Sequence, residues 1–428
     1  MSLLLKNTQL HALFTAHAGH LSAEEELVPD LIRSAIESGT MVLLGNPAHP
    51  ALRPILVGQP SRVKVNANLG TSPLSHCLET EKRKLRAALD SGADTVMDLS
   101  ISGDLDEIRK IILAGCPLPV GTVPLYAVAQ QILDGNGDVA DMRPQALFEE
   151  IEKQAQQGVD FMTVHCGLTH RGAEWAAHEN FGHARSMGIV SRGGSILARW
   201  MLQNNRENPL LENFDLLLDI ARAHNVTLSL GDGLRPGAGI DAGDAAQWEE
   251  VITLGKLAAR AREAGVQCMI EGPGHVPMQE VEAQIRGIKR LTDGAPLYVL
   301  GPLVVDTAPG YDHIAGAIGG AMAVRAGVDF LCYLTPAEHL TLPDEADVRA
   351  GVMASRVAAQ AGEVALKTPR ALRREANMNT ARRNLDWEGM AAAALDPTAV
   401  KKRREPHKNE EVCAMCGKFC AVKMLKKV

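Results

Sequence analysis

At 428 residues the chain can hold a barrel of about 250 residues with appendages. With 46% hydrophobic residues it can bury a sizeable core, while a net charge of −7 and only 4% aromatics argue against nucleic acid as a partner. No apolar run reaches the roughly 18 residues of a membrane span. The N-terminus lacks the basic region and long apolar core of a signal peptide. Of the eight cysteines, five are scattered and three clustered, which is no disulfide framework and suits a reduced, cytoplasmic setting.

Taken in chain order, residues 1–60 read as a small helical domain. Residues 61–348 hold eight short apolar runs: Arg62–Asn66, Thr95–Leu99, Pro119–Leu125, Asp160–His165, Val226–Leu230, Gln267–Ile270, Leu297–Leu300 and Asp329–Leu334. Amphipathic stretches such as Glu81–Ser91, Pro144–Gln157, Glu212–His224, Ala245–Ala264 and Gln279–Thr292 lie between them. Strand then helix, eight times over, is the pattern of a (β/α)₈ TIM-type barrel, an α/β fold. Periodicity alone does not close a barrel, so a doubly wound sheet is the alternative. Residues 349–428 read as helices, Arg349–Ala361 among them, then a basic run at Lys401–Lys408 taken as a solvated linker, then a cysteine tail.

Polar residues gather where these runs end: Asn68, Met97-Asp98, Tyr126, His165, Asp232, Glu271 with His275, Tyr298, and His339. In barrels the C-terminal rim of the strands carries the active site. Ser191-Arg192-Gly193-Gly194 before a helix combines free backbone N–H groups with a guanidinium, which suits a phosphate. Asp232-Gly233-Leu234-Arg235 adds a second arginine and an acceptor for sugar hydroxyls. Each Gly-rich turn also has a purely steric explanation. His275 and His339 follow the sixth and eighth runs and could share a zinc-like ion or make ordinary hydrogen bonds. The tail CAMCGKFC spaces Cys413, Cys416 and Cys420 as Cys-x₂-Cys-x₃-Cys. Three thiolates can hold a [4Fe–4S] cube with one iron open to S-adenosylmethionine; a zinc knuckle with a distant histidine is the alternative. A zinc hydrolase would leave the cysteine tail unexplained, and a non-catalytic scaffold would leave the polar rim unexplained.

From about Arg62 onward the segments KVNANLGTS, GADTVMDLS, GTVPLY, GIVSRGG, SLGDGLRPG, EGPGHVP, YVLGPL, APGYDHI, TPAEHL and the cysteine tail resemble the ThiC family of radical S-adenosylmethionine enzymes; the first 60 residues match it poorly. The resemblance implies a homodimeric barrel whose tail serves the partner's site, fed by a one-electron reductant and acting on 5-aminoimidazole ribotide through a 5′-deoxyadenosyl radical. Carried over by motif, Asn68, Met97, Tyr126, His165, Ser191, Arg192, Gly193, Asp232, Gly233, Leu234, Arg235, Glu271 and Tyr298 would contact the ribotide. His275 and His339 would bind zinc, and Cys413, Cys416 and Cys420 the [4Fe–4S] cluster.

Several segments depart from the family pattern. The last cysteine gap is one residue shorter, DLSISGD replaces DLSTGGD, VPLYAV replaces VPIYQA, LVVDTAPG replaces LVTDIAPG, and THRGAEWAAHENFGHARSM is extra. These departures favour the branch that makes 5-hydroxybenzimidazole for anaerobic cobamides. The alternative product is 4-amino-5-hydroxymethyl-2-methylpyrimidine phosphate for thiamine.

Overall fold

The computed structural model describes residues 2–75, 77–178 and 184–425. It divides into two compact units, Met1–Ala359 and Gln360–Val428. In the first, helices Leu3–Lys6, Thr8–Glu25 and Pro29–Ser38 lead into an antiparallel pair, β1 (Val42–Leu44) and β2 (Ile55–Val57). The segment expected to be wholly helical therefore carries a small sheet. The runs Met41–Leu44 and Ile55–Val57 are too short and too continuous to show alternation, because both faces are buried. Leu10, Phe14, Ile32, Ile36, Leu43 and Leu56 form its core.

Eight parallel strands follow: β3 (Lys64–Leu69), β4 (Thr95–Asp98), β5 (Val120–Thr122), β6 (Phe161–Val164), β7 (Thr227–Leu230), β8 (Cys268–Gly272), β9 (Leu297–Leu300) and β10 (Phe330–Cys332). They close in sequence order, with β10 pairing both β9 and β3, so the barrel reading holds and the doubly wound alternative falls. Strands buried on both faces need continuous apolar runs, which is why each was visible. The third expected run extends too far. Its strand ends at Thr122, and Pro124, with its φ pre-set for the first turn, opens the helix Pro124–Asp134.

The floor of the barrel is built by a repeat. Gly92-Ala-Asp94, Gly158-Val-Asp160 and Gly327-Val-Asp329 each end a helix and start a strand. The glycines sit at φ of 80°, 103° and 125°, where a side chain would be strained. The three aspartates accept the N–H of Val65, Val120 and Leu297 on the preceding strand, at 2.8, 2.7 and 2.8 Å. They tie strand to strand where no ladder bond is available.

The N-terminal segment is pinned to this floor by buried charge. Lys64 pairs with Glu25 at 2.9 Å, and the Arg62 N–H donates to the same carboxylate at 2.6 Å. His49 lies fully enclosed, with Nδ1 2.7 Å from Asp160 and Nε2 within hydrogen-bond reach of the carbonyls of Leu113 and Cys116. All three neighbours are acceptors, so both ring nitrogens donate and the ring is the imidazolium. Burial alone would push its pKa down, but the hydrogen bond and charge of Asp160 outweigh that, and the net shift is upward. Burial pushes the Asp160 carboxyl up. Yet Asn46 N–H and Val120 N–H also donate to it, at 2.7 Å each, which favours the ionised pair.

A raised pKa in the folded state means that this stabilisation is present below about pH 6.5, the unfolded histidine value, and is lost as pH rises through the folded value. Unfolding midpoints measured against pH should therefore fall above neutrality in the wild type, and fall less steeply in His49→Gln. Equal slopes would remove His49 from this role.

Candidate active site

The strand ends converge on one cavity of about 100 Å³ at the C-terminal mouth. Asn68, Met97, Tyr126, His165, Asp232, Arg235, Glu271 and Tyr298 all reach its wall, so eight of the residues picked out in sequence meet. Tyr298 stacks on Phe330 with ring centroids 4.2 Å apart, and its hydroxyl reaches Met97 Sδ at 3.6 Å. Glu271 accepts hydrogen bonds from Thr163 and Ser229 at 2.6 Å each, which fixes it across the barrel; burial still pushes its carboxyl up.

Burial pushes the Asp232 carboxyl up to about 7, although Arg235 Nη1 stands 2.9 Å away and opposes the shift. Near neutral pH Asp232 can therefore either donate or accept a proton. Burial, with the charge of Arg235 as a smaller cause, drives His165 down to about 3, so its ring is neutral. Its Nε2 lies 3.1 Å from Ser191 Oγ, which also accepts from Gly194 N–H. The other ring nitrogen, Nδ1, is buried and has no hydrogen-bond partner among the described residues. A buried polar atom without a partner is costly unless a ligand completes it.

Ser191 caps the helix Arg192–Asn204. A Cβ on Gly193 would sit 2.2 Å from the His165 ring, and one on Gly194 2.3 Å from the Gly233 carbonyl. Only glycines let this helix start approach His165 and the Asp232 loop so closely. Ser191 and Gly193 thus support the site from behind. Arg192 instead lies 4.8 Å over the Tyr126 ring and lines an outer cavity of about 230 Å³ that shares Asn68 and Leu99 with the inner one. Gly233 and Leu234 are not in the inner wall: Leu234 is buried, and its N–H donates to Glu250 at 2.7 Å.

His275 and His339 come together with ring centroids 5.4 Å apart. The Nδ1 of His275 is 2.8 Å from Asp306, and that of His339 is 3.1 Å from Asp312. A carboxylate on Nδ1 leaves each Nε2 available to a shared ion, the usual outer-shell arrangement for metal-bound histidine. No group of three or more His, Cys, Asp or Glu among the described residues is arranged as a metal cage, so such an ion would need water or substrate to complete it.

In the second unit, Cys413–Cys416 forms a knuckle. The backbone N–H groups of Cys416 and Met415 point at the Cys413 sulfur and hold its thiol below the usual range, while Cys413 pushes the Cys416 thiol up. Cys420, 6% exposed, follows the single turn Gly417–Phe419. Three thiols are the donor set that a [4Fe–4S] cluster with one open iron takes, although they are not gathered into a cage here, so a bound cluster would have to draw them together. The basic run before them is not a plain linker: Lys401–Arg404 ends the helix Pro397–Arg404.

Sequence reasoning passed over Cys332, whose Sγ accepts from Asn68 Nδ2 at 3.2 Å inside the inner cavity. Its position at the end of the eighth run was the available signal. It also missed Asp306 and Asp312, the orienting carboxylates.

Known proteins resemble this chain over nearly its whole length. The model of the radical SAM ThiC family matches residues 7–427, so the likeness takes in most of the N-terminal segment that looked divergent. The phosphomethylpyrimidine synthase of Methanopyrus kandleri is 49% identical, covering 95% of this chain and 94% of its own. That of Methanocaldococcus jannaschii is 48% identical, covering 98% and 97%. That of Moorella thermoacetica is 49% identical, covering 95% and 93%.

Proposed function

The chain belongs to the radical SAM ThiC family, and on that premise we propose that it is a phosphomethylpyrimidine synthase, converting 5-aminoimidazole ribotide to 4-amino-5-hydroxymethyl-2-methylpyrimidine phosphate. Family membership makes it an enzyme that uses S-adenosylmethionine and a [4Fe–4S] cluster, which together supply the one-electron chemistry that starts the reaction. Cys413, Cys416 and Cys420 would hold the cluster, reduced by an external one-electron donor.

The observation that carries the reading is the inner cavity, with a guanidinium, a carboxyl near neutrality and a neutral histidine whose Nδ1 has no partner among the described residues, inside one barrel mouth. In it Arg235, joined by Arg192 at the outer edge, takes the phosphate. Asp232 and Glu271 accept from the sugar hydroxyls and the amino group, the His165 Nδ1 hydrogen-bonds to the substrate, and Tyr298 and Met97 give the imidazole an apolar wall. His275 and His339 hold zinc. The enzyme works as a homodimer in the cytoplasm; no helix among the described residues is long and apolar enough to cross a membrane.

The benzimidazole product is set aside for two reasons. The relatives bear the other name. Three of the departures that favoured it also stand away from the inner cavity: Ala127 and Val128 are buried in the core, Val305 is 42% exposed, and Ile101 lines only the outer chamber. Residues that do not touch the substrate's ring have no direct means of redirecting its rearrangement.

Anaerobic turnover of the ribotide, analysed by mass, should yield the pyrimidine phosphate; accumulation of a fluorescent benzimidazole with no pyrimidine would restore the other product. For the metal, Asp306→Ala should weaken zinc binding by about 10–100-fold while leaving iron content unchanged. Equal zinc affinity in the two proteins would remove the histidine pair as its site.

A further inference from the structure

The second unit contains a device that neither the polar rim nor the cysteine spacing explains. Trp387 is the first residue of the helix Trp387–Ala393, fixed by the Asp386 cap, which accepts Gly389 N–H at 2.9 Å. Arg404 is the last residue of the helix Pro397–Arg404, whose start is fixed by the Asp396 cap on Ala399 N–H at 2.8 Å. The Arg404 guanidinium lies 4.0 Å from the centre of the Trp387 ring. Both side chains are half-buried, and both turn their donors toward one stretch of backbone. Trp387 Nε1–H donates to the Glu411 carbonyl at 3.1 Å. Arg404 donates from Nη1 to the Val412 carbonyl at 3.1 Å and from Nη2 to the Glu410 carbonyl. Three consecutive carbonyls, Glu410 to Val412, are therefore held by one stacked pair. The next residue is Cys413.

We propose that Arg404 and Trp387 are positioning residues: a latch that fixes the chain just before the cysteine knuckle, and so sets where Cys413 stands when the cluster assembles. This rests on the reading that Cys413, Cys416 and Cys420 carry the cluster. The chemistry suits arginine. Its planar fork can reach two carbonyls while its face stacks on an indole, and a lysine ammonium can do only one of these at a time. The geometry also accounts for the otherwise bland basic run. Lys401, Lys402 and Arg403 are exposed, whereas Arg404 turns inward. Without the latch, residues 405–412 would be ordered by their local turns and by exposed contacts such as the Glu411–Lys423 ion pair, and the first thiolate would sample more positions relative to the other two. Ordering a ligand before binding lowers the cost of binding.

The test uses the full chain with its cluster reconstituted anaerobically. Iron and sulfide are counted per chain, release of iron to a chelator is timed, and the reduced cluster is examined by electron paramagnetic resonance with and without S-adenosylmethionine. Arg404→Ala and Trp387→Leu should release iron roughly tenfold faster than wild type, the order expected for losing charge-assisted hydrogen bonds, with a broadened resonance. Arg404→Lys should recover part of the loss. Trp387→Phe, which keeps the ring and loses only the donor to Glu411, should fall between, and it decides the matter if the harsher variants load no iron. Lys402→Ala, an exposed neighbour on the same helix, should match wild type. Wild-type release rates and spectra in both Arg404→Ala and Trp387→Phe would overturn the latch, as would an equal effect in Lys402→Ala. A Cys416→Ala variant that still binds a full cluster would instead overturn the reading of the cysteines.

Discussion

Arg235 and Asp232 face each other at 2.9 Å inside the barrel mouth, and the rest of the candidate site is arranged around that pair. Burial in the mouth disfavours the charged carboxylate and pushes Asp232 up to about 7, with the nearby Glu271 carboxyl adding to the shift. Arg235 keeps that value from going higher and remains charged itself. An incoming phosphate would compete with Asp232 for the guanidinium and add negative charge, pushing Asp232 further toward its neutral, donating form. The same positive charge adds to the burial that keeps His165 neutral, with Ser191 beside one ring nitrogen and the other without a partner among the described residues. Burial and this one guanidinium together set the protonation of both Asp232 and His165.

That arrangement depends on a rigid frame, and the barrel divides its labour between its two ends. At the floor, three Gly-x-Asp turns and the His49–Asp160 pair satisfy their own donors and acceptors and leave nothing for a ligand. At the mouth, His165 Nδ1 is left unsatisfied and the carboxyls are shifted. Polar groups completed by the protein serve stability, and those left incomplete await a ligand.

Much of this was legible in the sequence, for identifiable reasons. Doubly buried strands must be continuous apolar runs, so all eight stood out, and residues at their ends must face the mouth, so Asn68, Tyr126, Asp232 and Glu271 were found together. What was missed depends on partners distant in sequence. Asp306 and Asp312 look like ordinary loop and helix-start residues until His275 and His339 are seen beside them. Arg404 is indistinguishable from its basic neighbours until the indole of Trp387 is placed beneath it. Two of the departures from the family pattern lie beside Tyr126 in sequence but not beside the cavity. Ala127 and Val128 follow Tyr126 on a helix and point into the core.

The central claim is that the mouth is built for a phosphorylated aminoimidazole riboside, with the guanidiniums reading the phosphate. The most direct measurement is equilibrium binding of 5-aminoimidazole ribotide and of the same riboside lacking phosphate, to the full chain without S-adenosylmethionine. Loss of a charge-assisted contact of roughly 1.5–3 kcal/mol predicts that the riboside binds about 10–100-fold more weakly, and that Arg235→Lys narrows the gap. Equal affinity for the two compounds, in wild type and variant alike, would contradict the account.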